Sequence, residues 1–69
     1  MAEAPKQFVM YKDEKGEWRW TLYAANSKKI ADSAEGYQRK ADCVHGARLV
    51  AAVATNAGIW NGTEQTWEP

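Results

Sequence analysis

Gly16-Glu17-Trp18-Arg19-Trp20-Thr21-Leu22-Tyr23 is the stretch whose reading decides the fold. Side chains of an extended strand alternate between faces, so Trp18, Trp20 and Leu22 line one side while Arg19, Thr21 and Tyr23 line the other. Two indoles and a leucine make the largest apolar block in the chain, and the remaining segments are expected to cover it.

Upstream, Asp13-Glu14-Lys15-Gly16 reads as a tight hairpin connection, with Gly16 supplying the positive φ that such turns demand. Before it, from about Gln7, Phe8 and Met10 alternate with Val9 and Tyr11, a strand with apolar groups on both faces. Met1-Ala2-Glu3-Ala4-Pro5-Lys6 has no structural period and is expected to be a flexible lead-in. Downstream, Ala25-Asn26-Ser27-Lys28 is a second turn signal, with Asn26 the residue that best tolerates a left-handed conformation. Lys29-Ile30-Ala31-Asp32-Ser33 then predicts a third, edge-like strand, completing a three-stranded antiparallel meander.

Gly36 implies a bend, and from about Arg39 to Ala54 good helix formers run without proline. Cys43, Gly46, Ala47, Val50 and Val53 or Ala54 recur at helical spacing. Their small side chains let the helix approach the sheet closely, small residues opposite large indoles, which also accounts for Gly46 inside a helix. Asn56-Ala57-Gly58 suits a left-handed cap. Asn61-Gly62 is a strong hairpin signal, so the tail forms a last strand or small hairpin lying against the sheet or a neighbouring molecule. Asn61-Gly62-Thr63 also matches a glycosylation acceptor pattern, which is read here as a turn.

The expected architecture is therefore α+β: a β-β-β-α domain over residues 7–57, a lead-in over 1–6 and a tail over 58–69. Its expected core is Phe8, Met10, Trp18, Trp20, Leu22, Ile30, Cys43, Ala47 and Val50. At 69 residues the chain holds one domain. A domain this size buries only about 60% of its unfolded surface, and such domains commonly add disulfides, metals or association. The single Cys43 excludes an internal disulfide, which leaves association. Nine basic residues balance nine acidic ones, so no long-range field favours nucleic acid. The start of the sequence has no secretory apolar segment and no stretch suits a membrane span, so a cytoplasmic protein is expected.

The fixed spacings resemble the YegP-like family of small bacterial and archaeal proteins, a domain of unknown function. The residues that carry the resemblance are Gly16, Trp18, Arg19, Trp20, Leu22, Ala25, Asn26, Ile30, Ala31, Ser33, Glu35, Gly36, Tyr37, Lys40, Cys43, Gly46 and Val50, within a span from Phe8 to Asn56. Thr21 departs from a usual arginine, Ser27 from a turn glycine, and Gln38-Arg39 from a serine at the helix start. The tail after Gly58 has no counterpart in the pattern. The resemblance implies a β-β-β-α unit, often followed by a strand, with no established activity. Some relatives look like two copies in tandem, so a single copy implies a symmetric homodimer.

Candidate chemistry is sparse. Cys43 and His45 point about 200° apart on a helix, which argues against a catalytic pair. Asp42 and His45 can meet as a local helix contact. No ligand spacing for a metal is present, and no cofactor is expected. Two surfaces remain. Tyr11, Arg19, Thr21 and Tyr23 form a polar and aromatic sheet face, suited to a dimer contact or to base stacking. Glu35, Tyr37, Arg39 and Lys40 lie at the sheet-helix junction, as a structural loop in which Glu35 meets a cation and Tyr37 covers the core, or as a small-ligand site. The leading expectation is a non-enzymatic module that self-associates and acts through protein contacts. The alternative is binding of single-stranded nucleic acid or a small anion through Arg19, Tyr23, Arg39 and Lys40.

Overall fold

A computed structural model describes residues 7–69; the lead-in expected over residues 1–6 lies outside them. The element order is β1 (Gln7–Lys12), β2 (Trp18–Tyr23), β3 (Lys29–Asp32), α1 (Lys40–Ala54), β4 (Trp60–Asn61) and β5 (Thr66–Trp67). Strands β1, β2 and β3 form the expected antiparallel meander with β2 in the centre. The register sets Phe8 opposite Leu22, Met10 opposite Trp20, Val9 opposite Thr21 and Tyr11 opposite Arg19, so the even-numbered residues of β1 and β2 share the inner face. The architecture is α+β, with a separate two-stranded pair at the C-terminus.

The core is small. Trp20, Cys43 and Ala47 are its buried apolar residues among those described, and Phe8, Met10, Trp18, Leu22, Ala31, Tyr37 and Val50 pack around them half-buried. Phe8 meets Trp20 edge-on with ring centroids 5.2 Å apart. Helix and sheet meet as large against small. A Cβ on Gly46 would stand 2.6 Å from Tyr37 Oη and 3.7 Å from Trp20 Nε1, so the tyrosine ring occupies the space that any larger residue would need.

Four local expectations are corrected. Ile30 is 61% exposed rather than core, because Ala31 is the residue paired with inner-face Leu22 and alternation sends its neighbour Ile30 to the opposite face. Val53 and Ala54 are exposed, since β2 is the strand that carries the helix contact and the helix runs past it. Ser27, not Asn26, takes the left-handed conformation (φ 67°), while Asn26 Oδ1 accepts the Lys28 N–H at 3.1 Å. The helix ends without a left-handed cap: Thr55 is right-handed, and Asn56 and Ala57 donate to the carbonyls of Val53 and Ala54. Gly16 behaves as expected, at φ 80°.

The helix start carries a vacancy in its capping. Arg39 is the N-cap residue, with extended dihedrals suited to capping but no side-chain acceptor in place. Arg39→Ser should therefore raise stability by about 1 kcal/mol, seen as a higher urea midpoint at unchanged slope. Trp20→Ala should cost about 3 to 5 kcal/mol and abolish the cooperative transition of so thin a core; a folded, cooperative variant would show that the core lies elsewhere.

Candidate functional site

The outer sheet face is anchored at the β1–β2 turn by Asp13. Its Oδ1 accepts the N–H groups of Lys15 and Glu17, each at 2.9 Å, and its Oδ2 accepts Arg19 Nε at 2.7 Å. Arg19 also donates from Nη1 to the Ala34 carbonyl at 3.2 Å, tying the turn to the β3–α1 loop. The Arg19 hydrogen bond, with the Glu17 N–H, holds the Asp13 carboxyl below its ordinary pKa, and Asp13 raises that of Arg19 in return. Around this pair stand Tyr11 and Val9, both exposed, with half-buried Tyr23 and buried Thr21. Tyr11, Arg19, Thr21 and Tyr23 thus share one face, as their alternation requires.

At the sheet-helix junction Ser33 acts as a latch. Its N–H donates to the Trp20 carbonyl, its Oγ accepts the Trp20 N–H at 3.3 Å, and its hydroxyl donates to the Glu35 carbonyl at 2.9 Å. Ala34 sits at φ 56° within this bend, steadied by the Asp32 carboxylate on its N–H. The chain then rejoins β2, with Trp18 and Tyr37 exchanging backbone hydrogen bonds of 2.7 and 2.8 Å. Among the described residues Glu35 has no ion pair, so its expected cation is absent; it is Glu17 that packs on Gly36. Tyr37 lies half-buried on the core over Gly46.

The cations named for an anionic ligand each have a partner or neighbour of their own. Arg19 and Tyr23 lie on the outer sheet face. Arg39 pairs with Asp42 at 3.4 Å, and Lys40 Nζ stands 6.0 Å from the Trp18 ring, which Lys12 Nζ also approaches at 5.5 Å. Cys43 is wholly buried and its thiol pKa is raised by that burial, whereas His45 is exposed. The described residues contain no group of three or more potential metal-ligating side chains and no helix long and apolar enough to cross a membrane.

Two features escaped the sequence reading. One is a groove of about 440 Å³ between β1 and α1, lined by Phe8, Met10, Val44, Ala47, Arg48 and Ala51. The other is the internal chemistry of the tail hairpin. Trp60 pairs with Trp67 across it, ring centroids 5.3 Å apart and edge-on, and Trp67 also covers Gly58. Both indoles and Ile59 remain more than half exposed. The loop is longer than a two-residue Asn-Gly turn: it runs from Asn61 to Gln65, whose N–H reaches the Asn61 carbonyl at 2.7 Å and which alone in the hairpin has positive φ.

Sheet, helix and polar latches define a small β-β-β-α domain. By sequence the chain belongs to the family described as domain of unknown function (DUF1508), whose model matches residues 13–60 and bears out the resemblance read from the motif spacing. It is 51% identical over 43 residues to the UPF0339 protein NMB1088 of Neisseria meningitidis serogroup B, covering 62% of this chain and 75% of the relative. The same identity and coverage hold for the UPF0339 protein NMA1193/NMA1859 of Neisseria meningitidis serogroup A. An NMR solution structure of a protein from Haloferax volcanii has the same fold, with a TM-score of 0.76 at 29% identity over 86% of this chain and 98% of that one.

The Asp13–Arg19 contact predicts an acid-sensitive component of stability. Because the folded-state pKa of Asp13 is lowered, the contribution is complete above the unfolded value and is lost as pH falls through the folded one. Urea midpoints measured at neutral pH and at about pH 3 should fall less with acid in Asp13→Asn than in the natural sequence; an equal fall would show that the contact is energetically silent. Asp32, lowered by the Ala34 N–H and by Lys29, supplies the same sign of dependence in both proteins.

Proposed function

We propose that this domain is a non-enzymatic module that works as a symmetric pair of chains and acts through protein contacts. The observation that carries the reading is where the large apolar side chains lie. Among the described residues three apolar ones are buried, while Val9, Tyr11, Ile30, Leu49, Val53, Ile59, Trp60 and Trp67 are exposed. A stable dimer buries about 800 Å² on each partner, and exposed apolar side chains of this size are the kind that such a contact covers.

The tail hairpin and the groove are complementary. The hairpin presents Ile59, Trp60 and Trp67 with the acids Glu64 and Glu68 and no cation, while the groove is apolar with Arg48 at its wall. Pocket volumes of about 300 to 1,000 Å³ suit groups of this kind, and a buried aromatic beside a charge pair is the usual anchor of an interface. Each chain would lend its hairpin to the groove of the other, giving the two-fold reciprocity of a closed dimer.

Light scattering over a range of concentrations tests this. The natural sequence should reach twice 7.7 kDa, and Trp60→Ala/Trp67→Ala, which leaves the buried core untouched, should return it to 7.7 kDa. A monomer at every concentration would overturn the pairing. A variant that stays paired would overturn the arm and move the contact to the Tyr11, Arg19, Thr21 and Tyr23 face.

A further inference from the structure

In the tail hairpin every hydrogen-bonding position of the Asn61 side-chain amide is filled. Oδ1 accepts the N–H groups of Thr63 at 3.1 Å and Glu64 at 3.0 Å. Nδ2 donates to Glu64 Oε1 and to Glu68 Oε2, each at 3.0 Å. Two backbone donors on one carbonyl oxygen stabilise the negative charge that develops there when its carbon is attacked. Two carboxylates against the nitrogen favour the positive charge that it gains on leaving. The nucleophile is the next atom along the chain. Among the described residues the Gly62 N–H donates to no partner, and nothing lies within 4 Å of where a Gly62 Cβ would stand.

We propose that Asn61 is a self-modification site, at which the Gly62 nitrogen closes on Asn61 Cγ and expels the side-chain amide as ammonia. As the N–Cγ bond forms, the Gly62 nitrogen gives its proton to water and the carbonyl electron pair moves to Oδ1, facing the Thr63 and Glu64 N–H groups. Collapse breaks the Cγ–Nδ2 bond, and the departing nitrogen takes a proton from water. A second water opens the five-membered imide at either carbonyl, leaving a carboxylate at position 61 in the aspartate or isoaspartate form. No oxidant or reductant enters. The product carboxylate faces Glu64 and Glu68, so two favourable amide contacts become two like-charge contacts. The hairpin then opens and the Trp60–Trp67 pair is released. Release of a paired chain would follow too, a consequence that rests on the hairpin serving as the dimer arm.

The full-length chain carries its own controls, because Asn26 precedes Ser27 and Asn56 precedes Ala57. Incubation in mildly alkaline buffer, with and without urea, followed by peptide mass spectrometry at the three asparagines, tests the chemistry. Asn61 should convert ahead of the other two, and at least about tenfold faster in the native chain than in urea. Glu64→Gln/Glu68→Gln should bring the native rate down toward that in urea. A native rate equal to or below the denatured rate overturns the proposal, as does an unchanged rate in the double variant, since sequence alone would then account for it. Indole fluorescence and light scattering of Asn61→Asp separate the two readings: an open hairpin in a chain that still pairs removes the arm and leaves the modification site standing.

Discussion

The fold depends on hiding one indole. Trp20 sits mid-strand in the central strand of a three-stranded sheet, and a ring of that size admits a helix at close range only where the helix is nearly bare. Cys43 and Ala47 supply that bareness beside Gly46, over which Tyr37 lies, while Phe8 closes the edge of the ring. A helix face made of small residues gives little apolar area of its own. Its larger side chains, Leu49 and Val53, consequently fall on the exposed side, and the domain buries its tryptophan at the expense of a thick core.

Polar contacts compensate at the rims. Asp13 gathers two backbone N–H groups and the Arg19 guanidinium, and Arg19 carries the connection on to the Ala34 carbonyl. Ser33 extends β2–β3 pairing past the end of β3, and the Trp18–Tyr37 bridge resumes it before the helix begins. The central strand is thereby paired along both edges although β3, its second partner, is four residues long. Those same contacts engage Arg19 through Nε and Nη1.

Most of the body was legible because its periods are strong. A two-residue alternation through Trp18, Trp20 and Leu22 admits one inner face, and the small stripe Cys43, Ala47, Val50 matches it at helical spacing. What the sequence hid were displacements of a single residue. The pairing of Ala31 with Leu22 leaves Ile30 on the outer face without changing composition, and a left-handed Ser27 is invisible while its neighbour is asparagine. The helix stripe was extended one turn too far because periodicity cannot tell where the opposing sheet ends. Of the candidate surface, the shared face of Tyr11, Arg19, Thr21 and Tyr23 followed from alternation, whereas the groove between β1 and α1 depends on how far apart two elements stand, which no local pattern encodes.

The match to the family model ends at residue 60, within β4, while Glu64, Trp67 and Glu68 lie beyond it. In the proposed pairing the hairpin is the segment that covers the surface left open by the bare helix, because it has both apolar area and complementary charge. Its own order rests on one amide, Asn61, placed between two carboxylates that would repel each other without it. The most exposed aromatic pair in the chain is therefore held by its most chemically vulnerable dipeptide, so that any function of the arm is tied to the integrity of a single side-chain nitrogen.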